Sequence, residues 1–269
     1  MTSEKFSFEH QFNESQAIYI HETSIIGPSV KLAEGVKIGP YCVLMGDIKI
    51  GKNTKLYSHV SIGQPAQDIS VKKSLGTIEI GENCHIREFV SIHASKYPEG
   101  KTIIGNNSYL MAYSHIAHDC ILEENVILIN NVNLAGHVHV EKNVILMANS
   151  AVHQFCKIGK YSCLTPFSAT RQDLPPFCIF AGQPGQFSGL NRIGLKRAGL
   201  NSENLNNIKH VAKLFYQDKI LLNEMLKQAE ENQNSWGSDP YVLDFLEFIR
   251  SSKRGVSKRS LSSTEETYV

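Results

Sequence analysis

Thr102-Ile103-Ile104-Gly105-Asn106-Asn107-Ser108-Tyr109-Leu110 opens a stretch running to Thr170 in which every sixth residue is aliphatic. The series is Ile104, Leu110, Ile116, Leu122, Leu128, Leu134, Val140, Leu146, Val152, Ile158 and Leu164. Two residues before each stands a small or β-branched side chain, from Thr102, Ser108 and Ser114 to Ser150, Cys156 and Ser162. A 3.6-residue helix would carry a six-residue repeat around its surface, and a simple alternating strand has no third beat. The double register predicts a parallel β-helix of hexapeptide repeats.

Upstream, the same beat runs from Ile20 through Ile26, Leu32, Ile38, Leu44, Ile50 and Leu56 to Ile62, and resumes at Ile80, Ile86 and Ile92. Gly27, Gly39, Gly51 and Gly63 follow aliphatic positions, which predicts that they take turn conformations resisted by other side chains. Gln64 to Gly76 is too long and polar for one turn, and Ala94 to Lys101 contains the turn signal Tyr97-Pro98-Glu99-Gly100. Both should loop out, and long loops on a regular scaffold often carry function. With three strands per coil, the repeats make about seven coils stacked at roughly 4.8 Å.

Asp173-Leu174-Pro175-Pro176 is expected to stop strand pairing. Beyond it, Leu205, Ile208, Val211, Leu214 and Phe215 share a helical face, with Ser202 as the expected N-cap. Leu221, Leu222, Met225 and Leu226 continue an apolar stripe, and Tyr241 to Ile249 follows Asp239-Pro240 as a last helix. The organisation expected is therefore a β-helix domain over 1–190, with loops at 63–78 and 93–102, and a helical domain with a charged tail over 191–269. Residues 1–17 lack the period, and those from Ser251 on should fray. The flat faces and open ends of a solenoid predict a closed homo-oligomer, most simply a trimer.

Lys+Arg 27 against Asp+Glu 26 leaves a formal net charge of +1, against the basic stripe of a dedicated nucleic-acid binder. No apolar run approaches the roughly 18 residues of a membrane span, and the first residues do not suit a signal peptide. A cytoplasmic location is expected. The six cysteines show no CxxC spacing, and Cys42, Cys84, Cys120 and Cys156 occupy the small slot. They read as buried filler in a reducing compartment, without disulfides.

Several of the eleven histidines fall at positions that strand alternation turns outward or that form the corner, so that none of these points into the core. Relative to the leading aliphatic, His115 precedes by one, His153 follows by one, His118 by two and His137 by three. An eighteen-residue coil stacks His118, Gly136 and Gln154 in one column and Asp119, His137 and Phe155 in the next. A histidine beside a carboxylate, facing an unshielded backbone amide, suits a general base next to an oxyanion donor. That chemistry removes a proton from an alcohol attacking a thioester or ester. A zinc site would draw on His115, His118 and His137, but their columns differ, so no metal is expected. A scaffold without catalysis leaves the His118-Asp119 and Gly136 arrangement unexplained.

The blocks His115-Ile116-Ala117-His118-Asp119-Cys120, Leu134-Ala135-Gly136-His137-Val138 and Ala151-Val152-His153-Gln154-Phe155-Cys156, followed by Gly189-Leu190-Asn191 and Gly194-Leu195-Lys196-Arg197, carry a resemblance. The chain resembles the UDP-N-acetylglucosamine O-acyltransferases that use acyl carrier protein in lipid A synthesis, over essentially its whole length. The resemblance implies a mainly β fold, a left-handed parallel β-helix with a C-terminal α-helical cap, assembled as a cytoplasmic homotrimer. It implies transfer of a 3-hydroxyacyl chain to the sugar 3-hydroxyl of UDP-N-acetylglucosamine, the first step of that pathway. No cofactor is implied, the 4'-phosphopantetheine being carried by the acyl carrier protein. His118 would be the base, Asp119 its partner and Gly136 the oxyanion amide. Substrate contacts would fall on Gln67, Asp68, His93, His115, His137, His153, Gln154, Asn191 and Arg197.

Against the family pattern, Ser70 replaces a common lysine, with Lys72 and Lys73 just beyond; Ala94 replaces a basic residue and Ile193 an acidic one. Thr165-Pro166-Phe167 replaces a smaller corner where family members measure acyl length, which predicts a shorter accepted chain. The alternatives are a sugar acetyltransferase using acetyl-coenzyme A and a zinc β-helix enzyme resembling carbonic anhydrases. The related N-acyltransferase usually carries an N-terminal domain for which repeats starting at Ile20 leave no room.

Overall fold

The computed structural model describes residues 17–70, 76–218 and 220–257, in two compact units, Met1–Asn131 and Val132–Val269. Three parallel sheets build the first unit. One runs through Tyr19–Ile20, Lys37–Ile38, Lys55–Leu56, His85–Ile86, Tyr109–Leu110 and Ile127–Leu128. A second runs through Ile25–Ile26, Val43–Leu44, Ser61–Gln64, Ser91–His93 and His115–Ile116. The third contains Val30–Leu32, Ile48–Ile50, Thr77–Ile80, Lys101–Ile104 and Ile121–Leu122.

Strand register measures the coil. Tyr19 lies beside Lys37, eighteen positions on, but Lys55 lies beside His85 and His85 beside Tyr109. The last two offsets are thirty and twenty-four, so the two loops insert twelve and six residues while the strands keep their stacking. Ile38, Leu44, Leu56, Ile62, Ile86, Leu110 and Ile116 are fully buried, with Val36, Cys42, Thr54, Cys84 and Val90 in the small slots. Removing each such aliphatic side chain from water contributes about 1.5–3 kcal/mol.

The corners correct one expectation. Gly27, Gly39 and Gly51 do not take positive φ; Gly63 does, at +91°. The left-handed residue is instead the one three past the aliphatic: Asn53, Asn83, Asn107 and Asn125 on one corner, and Tyr41, His59, Phe89 and Tyr113 on another, at φ of 55° to 63°. Asparagine tolerates this region. The aromatic corner gains contact by stacking, with centroid separations of 5.0, 4.7 and 4.9 Å up the column. Gly51 is required for closeness rather than conformation, since a Cβ there would stand 2.6 Å from the Gly81 carbonyl carbon.

The second unit continues the coil grammar. Ile145–Leu146, Cys163–Leu164 and Cys178–Ala181 pair in parallel, as do Asn133–Leu134, Ala151–Val152 and Ala169–Thr170, and His139–Val140 with Lys157–Ile158. Contrary to expectation, the two prolines do not end the sheet. They sit at a corner, and Cys178–Ala181 pairs beyond them before Gln186–Leu190 folds back antiparallel.

Four helices follow: α1 (Arg192–Arg197), α2 (Ser202–Tyr216), α3 (Leu222–Glu231) and α4 (Pro240–Ser251). The N-cap of α2 is Asn201, whose side chain accepts from the Asn204 N–H; the expected Ser202 is the first helical residue. Asp239 caps α4 and also accepts from the Asn204 and Asn207 amides at 3.1 and 2.9 Å, tying α2 to α4. Tyr216 stacks on Phe187 of the antiparallel hairpin at 3.9 Å. The segment after α4 does not fray as expected through residue 257: Ser252 Oγ donates to Asp173 Oδ2 at 2.6 Å, and the Ser257 N–H donates to the Asp173 carbonyl at 2.9 Å. The rest of the predicted tail, and residues 1–16, lie outside the described residues.

Candidate active site

In the first unit, His118 and Asp119 occupy the corner after strand His115–Ile116. Asp119 has φ of +62°, and its N–H donates to Thr102 Oγ1 at 2.9 Å. The Thr102 hydroxyl in turn donates to the His93 carbonyl at 2.8 Å. This backbone pose aims the carboxylate along its own coil, where Oδ2 lies 2.8 Å from His118 Nδ1. A carboxylate only accepts, so Nδ1 carries the proton and the basic lone pair of the ring is on Nε2.

Two donors from the second loop secure that carboxylate. Ser95 Oγ donates to Oδ1, and the Lys96 N–H donates to Oδ2 at 3.3 Å. Ser95 is fully buried and receives the Tyr97 N–H at 3.0 Å. Gly100 closes the arrangement, because a Cβ there would collide with Ser95 and stand 2.9 Å from Asp119 Oδ1. His118 is 9 % exposed: it stands at the expected corner, and is nearly buried there.

The loop binds the first excursion too. Lys96 Nζ lies 3.2 Å from Asp68 Oδ2 and 5.3 Å from the Tyr97 ring centre. Asp68 also accepts from the Ser70 hydroxyl and N–H at 2.7 and 2.9 Å. The Ser70 hydrogen bonds and then Lys96 hold the Asp68 carboxyl well below the usual carboxylate range, and Asp68 in turn raises the Lys96 ammonium. Lys96 is thus a cation beside Asp68 that sequence reading missed; its place within the Ala94–Lys101 excursion was the available signal. Gln67 is exposed, while Lys72 and Lys73 lie outside the described residues.

His93 and His115 come together, their rings edge to face at 5.1 Å. His93 Nδ1 donates to the Pro65 carbonyl at 2.6 Å, and His115 Nδ1 meets Ser91 Oγ at 2.8 Å. Burial, with the nearby His93 second, lowers the His115 imidazole to about 4, so it is neutral at pH 7.

In the second unit, Gly136 is buried, and its carbonyl accepts from the Phe155 N–H at 3.1 Å. His137 and Phe155, both left-handed, stack at 4.5 Å. Gln154 is exposed beside them, and His153 Nδ1 lies 3.3 Å from Arg254. Asn191 caps α1 through Oδ1 and donates through Nδ2 to the Tyr161 carbonyl at 2.8 Å, so both ends of its amide serve local structure. Arg197 is exposed at the end of α1. Thr165 is tied to Ser168 at 2.9 Å, while Pro166 and Phe167 project at an exposed corner, Phe167 being 67 % exposed. The cysteines are all buried free thiols, and burial raises Cys156 and Cys163 to about 11.

Short parallel strands in a six-residue repeat, followed by packed helices, define the hexapeptide-repeat β-helix class of transferases, and the bacterial transferase hexapeptide profile matches residues 29–64 and 101–136. The profile for UDP N-acetylglucosamine O-acyltransferase, domain 2, matches residues 173–257. A curated acyl-(acyl-carrier-protein)–UDP-N-acetylglucosamine O-acyltransferase from Thermodesulfovibrio yellowstonii is 38% identical over 87% of this chain and 90% of its own length. One from Herminiimonas arsenicoxydans is 41% identical over 72% and 75%. The solved Francisella novicida UDP-N-acetylglucosamine acyltransferase superposes with a TM-score of 0.79 at 32% identity, covering 93% of this chain and all of that one. The chain belongs to the UDP-N-acetylglucosamine O-acyltransferase family.

Proposed function

We propose that this protein transfers a 3-hydroxyacyl chain from acyl carrier protein to the 3-hydroxyl of UDP-N-acetylglucosamine, the opening step of lipid A synthesis. The names of its relatives support the substrates, and the His118–Asp119 pair at 2.8 Å carries the mechanism. His118 Nε2 takes the proton of the sugar hydroxyl as its oxygen bonds to the thioester carbonyl carbon. The Gly136 N–H is assigned to the resulting oxyanion, and Asp119 stabilises the imidazolium. Collapse breaks the carbon–sulfur bond, and the pantetheine thiolate leaves with the proton from His118. No covalent enzyme intermediate is formed, in keeping with thiols that are buried and raised.

His93, His115, His137, His153, Gln154, Gln67, Asp68, Asn191 and Arg197 are the proposed substrate contacts, and Thr165, Pro166 and Phe167 the floor of the acyl pocket. No cofactor or resident metal enters the reaction. Among the described residues no helix is long and apolar enough to cross a membrane; a cytoplasmic homotrimer is the assembly proposed.

Acyl transfer from a series of 3-hydroxyacyl carrier proteins to UDP-N-acetylglucosamine, with and without chelator, tests the reading. Transfer that survives chelation and falls by about 10²- to 10⁴-fold in His118→Ala is expected. Activity lost to chelator, or seen only with acetyl-coenzyme A, sinks it.

A further inference from the structure

We infer that Arg254, delivered by the segment after α4, forms with His153 a subsite for a substrate phosphate ester. The sequence separates the two residues by 101 positions, yet Arg254 Nη2 lies 3.3 Å from His153 Nδ1. The segment is held from both sides by one buried residue. Asp173, 2 % exposed, donates its N–H to the Gly255 carbonyl at 2.9 Å and accepts the Ser257 N–H at 2.9 Å. Its carboxylate accepts from Ser252 Oγ at 2.6 Å and from the Lys157 N–H at 2.7 Å. Ser257 Oγ adds a bond to the Gly185 carbonyl, and Gly255 turns the chain at φ of +72°. Arg254 therefore projects from a backbone fastened on either side of it.

A guanidinium is always protonated and only donates, so His153 Nδ1 must present its lone pair to it. The Gln154 carbonyl, also 3.3 Å from Nδ1, cannot then receive a proton from that atom. The imidazole is held as the tautomer whose proton sits on Nε2. The pair thus offers a neutral N–H donor beside a cation with further N–H groups. Arg254 is exposed, and among the described residues it forms no ion pair. The carboxylate that fastens this segment, that of Asp173, is already used by the bonds above. A fixed, unneutralised guanidinium with an adjoining N–H matches the oxygens of a phosphate ester. The proposed reaction supplies two, the diphosphate of the sugar nucleotide and the phosphodiester of the pantetheine arm.

This inference rests on His153 being a substrate contact, and the test separates the two. Steady-state kinetics of full-length Arg254→Ala, Arg254→Lys and His153→Ala would be measured against each substrate in turn, with UDP as inhibitor and melting temperature as a folding control. For Arg254→Ala we expect a KM raised about tenfold for one substrate, kcat within about threefold of wild type, and partial recovery in Arg254→Lys. A raised KM for the sugar nucleotide with weakened UDP inhibition assigns the diphosphate; a raised KM for the carrier alone assigns the phosphodiester. If Arg254→Ala folds and shifts neither KM beyond twofold while His153→Ala does, the Arg254 subsite is overturned and the His153 reading stands. A His153→Ala variant with unchanged KM values removes the latter by itself.

Discussion

Asp119 and His153 are held in opposite ways. Asp119 lies under a loop of its own unit, its carboxylate fastened by His118, Ser95 and Lys96 and its N–H by Thr102. His153 sits at an open corner beside the exposed Gln154 and Phe155, with a guanidinium from the far end of the chain at its side. Proton transfer depends on sub-ångström placement and on one tautomer, so several bonds converge on the dyad. Attraction of a phosphate depends on charge and tolerates a looser partner. The dyad should accordingly answer in kcat and the corner in KM.

The largest effect tests the first half of that contrast. His118→Ala should lose about 10²- to 10⁴-fold in kcat with KM for the sugar nucleotide little changed; a loss confined to KM would place His118 with the corner residues. Next, Ser95→Ala should lower kcat about tenfold at constant KM, since one hydrogen bond to a charged group is worth about 1.5–3 kcal/mol. Ser95→Thr should recover most of it. Equal melting temperatures for both variants would show that the effect lies in positioning, and an unchanged kcat would mean that Lys96 and the backbone suffice to hold Asp119.

A pH experiment sharpens the account of the buried side. His115, lowered to about 4 by burial and by His93, titrates near 6.5 in an unfolded chain. Its folded value is the lower one, so its contribution to stability is complete above about 6.5 and lost as pH falls towards 4. Thermal melts from pH 7 to 4 should therefore show a steeper decline for wild type than for His115→Gln, and parallel curves would contradict the assignment. The smallest effect concerns chain length. Replacing Pro166 by glycine should shift preference towards longer 3-hydroxyacyl donors by several-fold in kcat/KM, measured by competition between carriers. An unaltered preference would move the pocket floor elsewhere.

Much of the fold was legible because a hexad repeats one local decision many times: Ile38, Leu56, Ile86 and Leu110 all meet the same demand from their coil. Single positions were less legible. Gly27, Gly39 and Gly51 were expected to turn the chain, yet close approach between coils is what Gly51 satisfies, and asparagines and aromatics take the left-handed corners. Pro175 and Pro176 were expected to end the sheet, but a proline at a corner removes no ladder hydrogen bond. Ser202 lost the N-cap to Asn201 because both residues have the chemistry and only the backbone decides which stands outside the helix.

By itself, then, the sequence determined the repeat, the class of fold, the two excursions and the adjacent His118–Asp119 pair, because each is written in neighbouring residues or in a fixed period. The tertiary structure decided what those excursions do. Ser95 reaches Asp119 across 24 positions, Lys96 reaches Asp68 across 28, and Arg254 reaches His153 across 101. Loops and the segment after the last helix carry no period, so nothing local in them specifies a partner. Their place is set by backbone bonds, such as those of Asp173, that form only when distant coils and helices have closed around them.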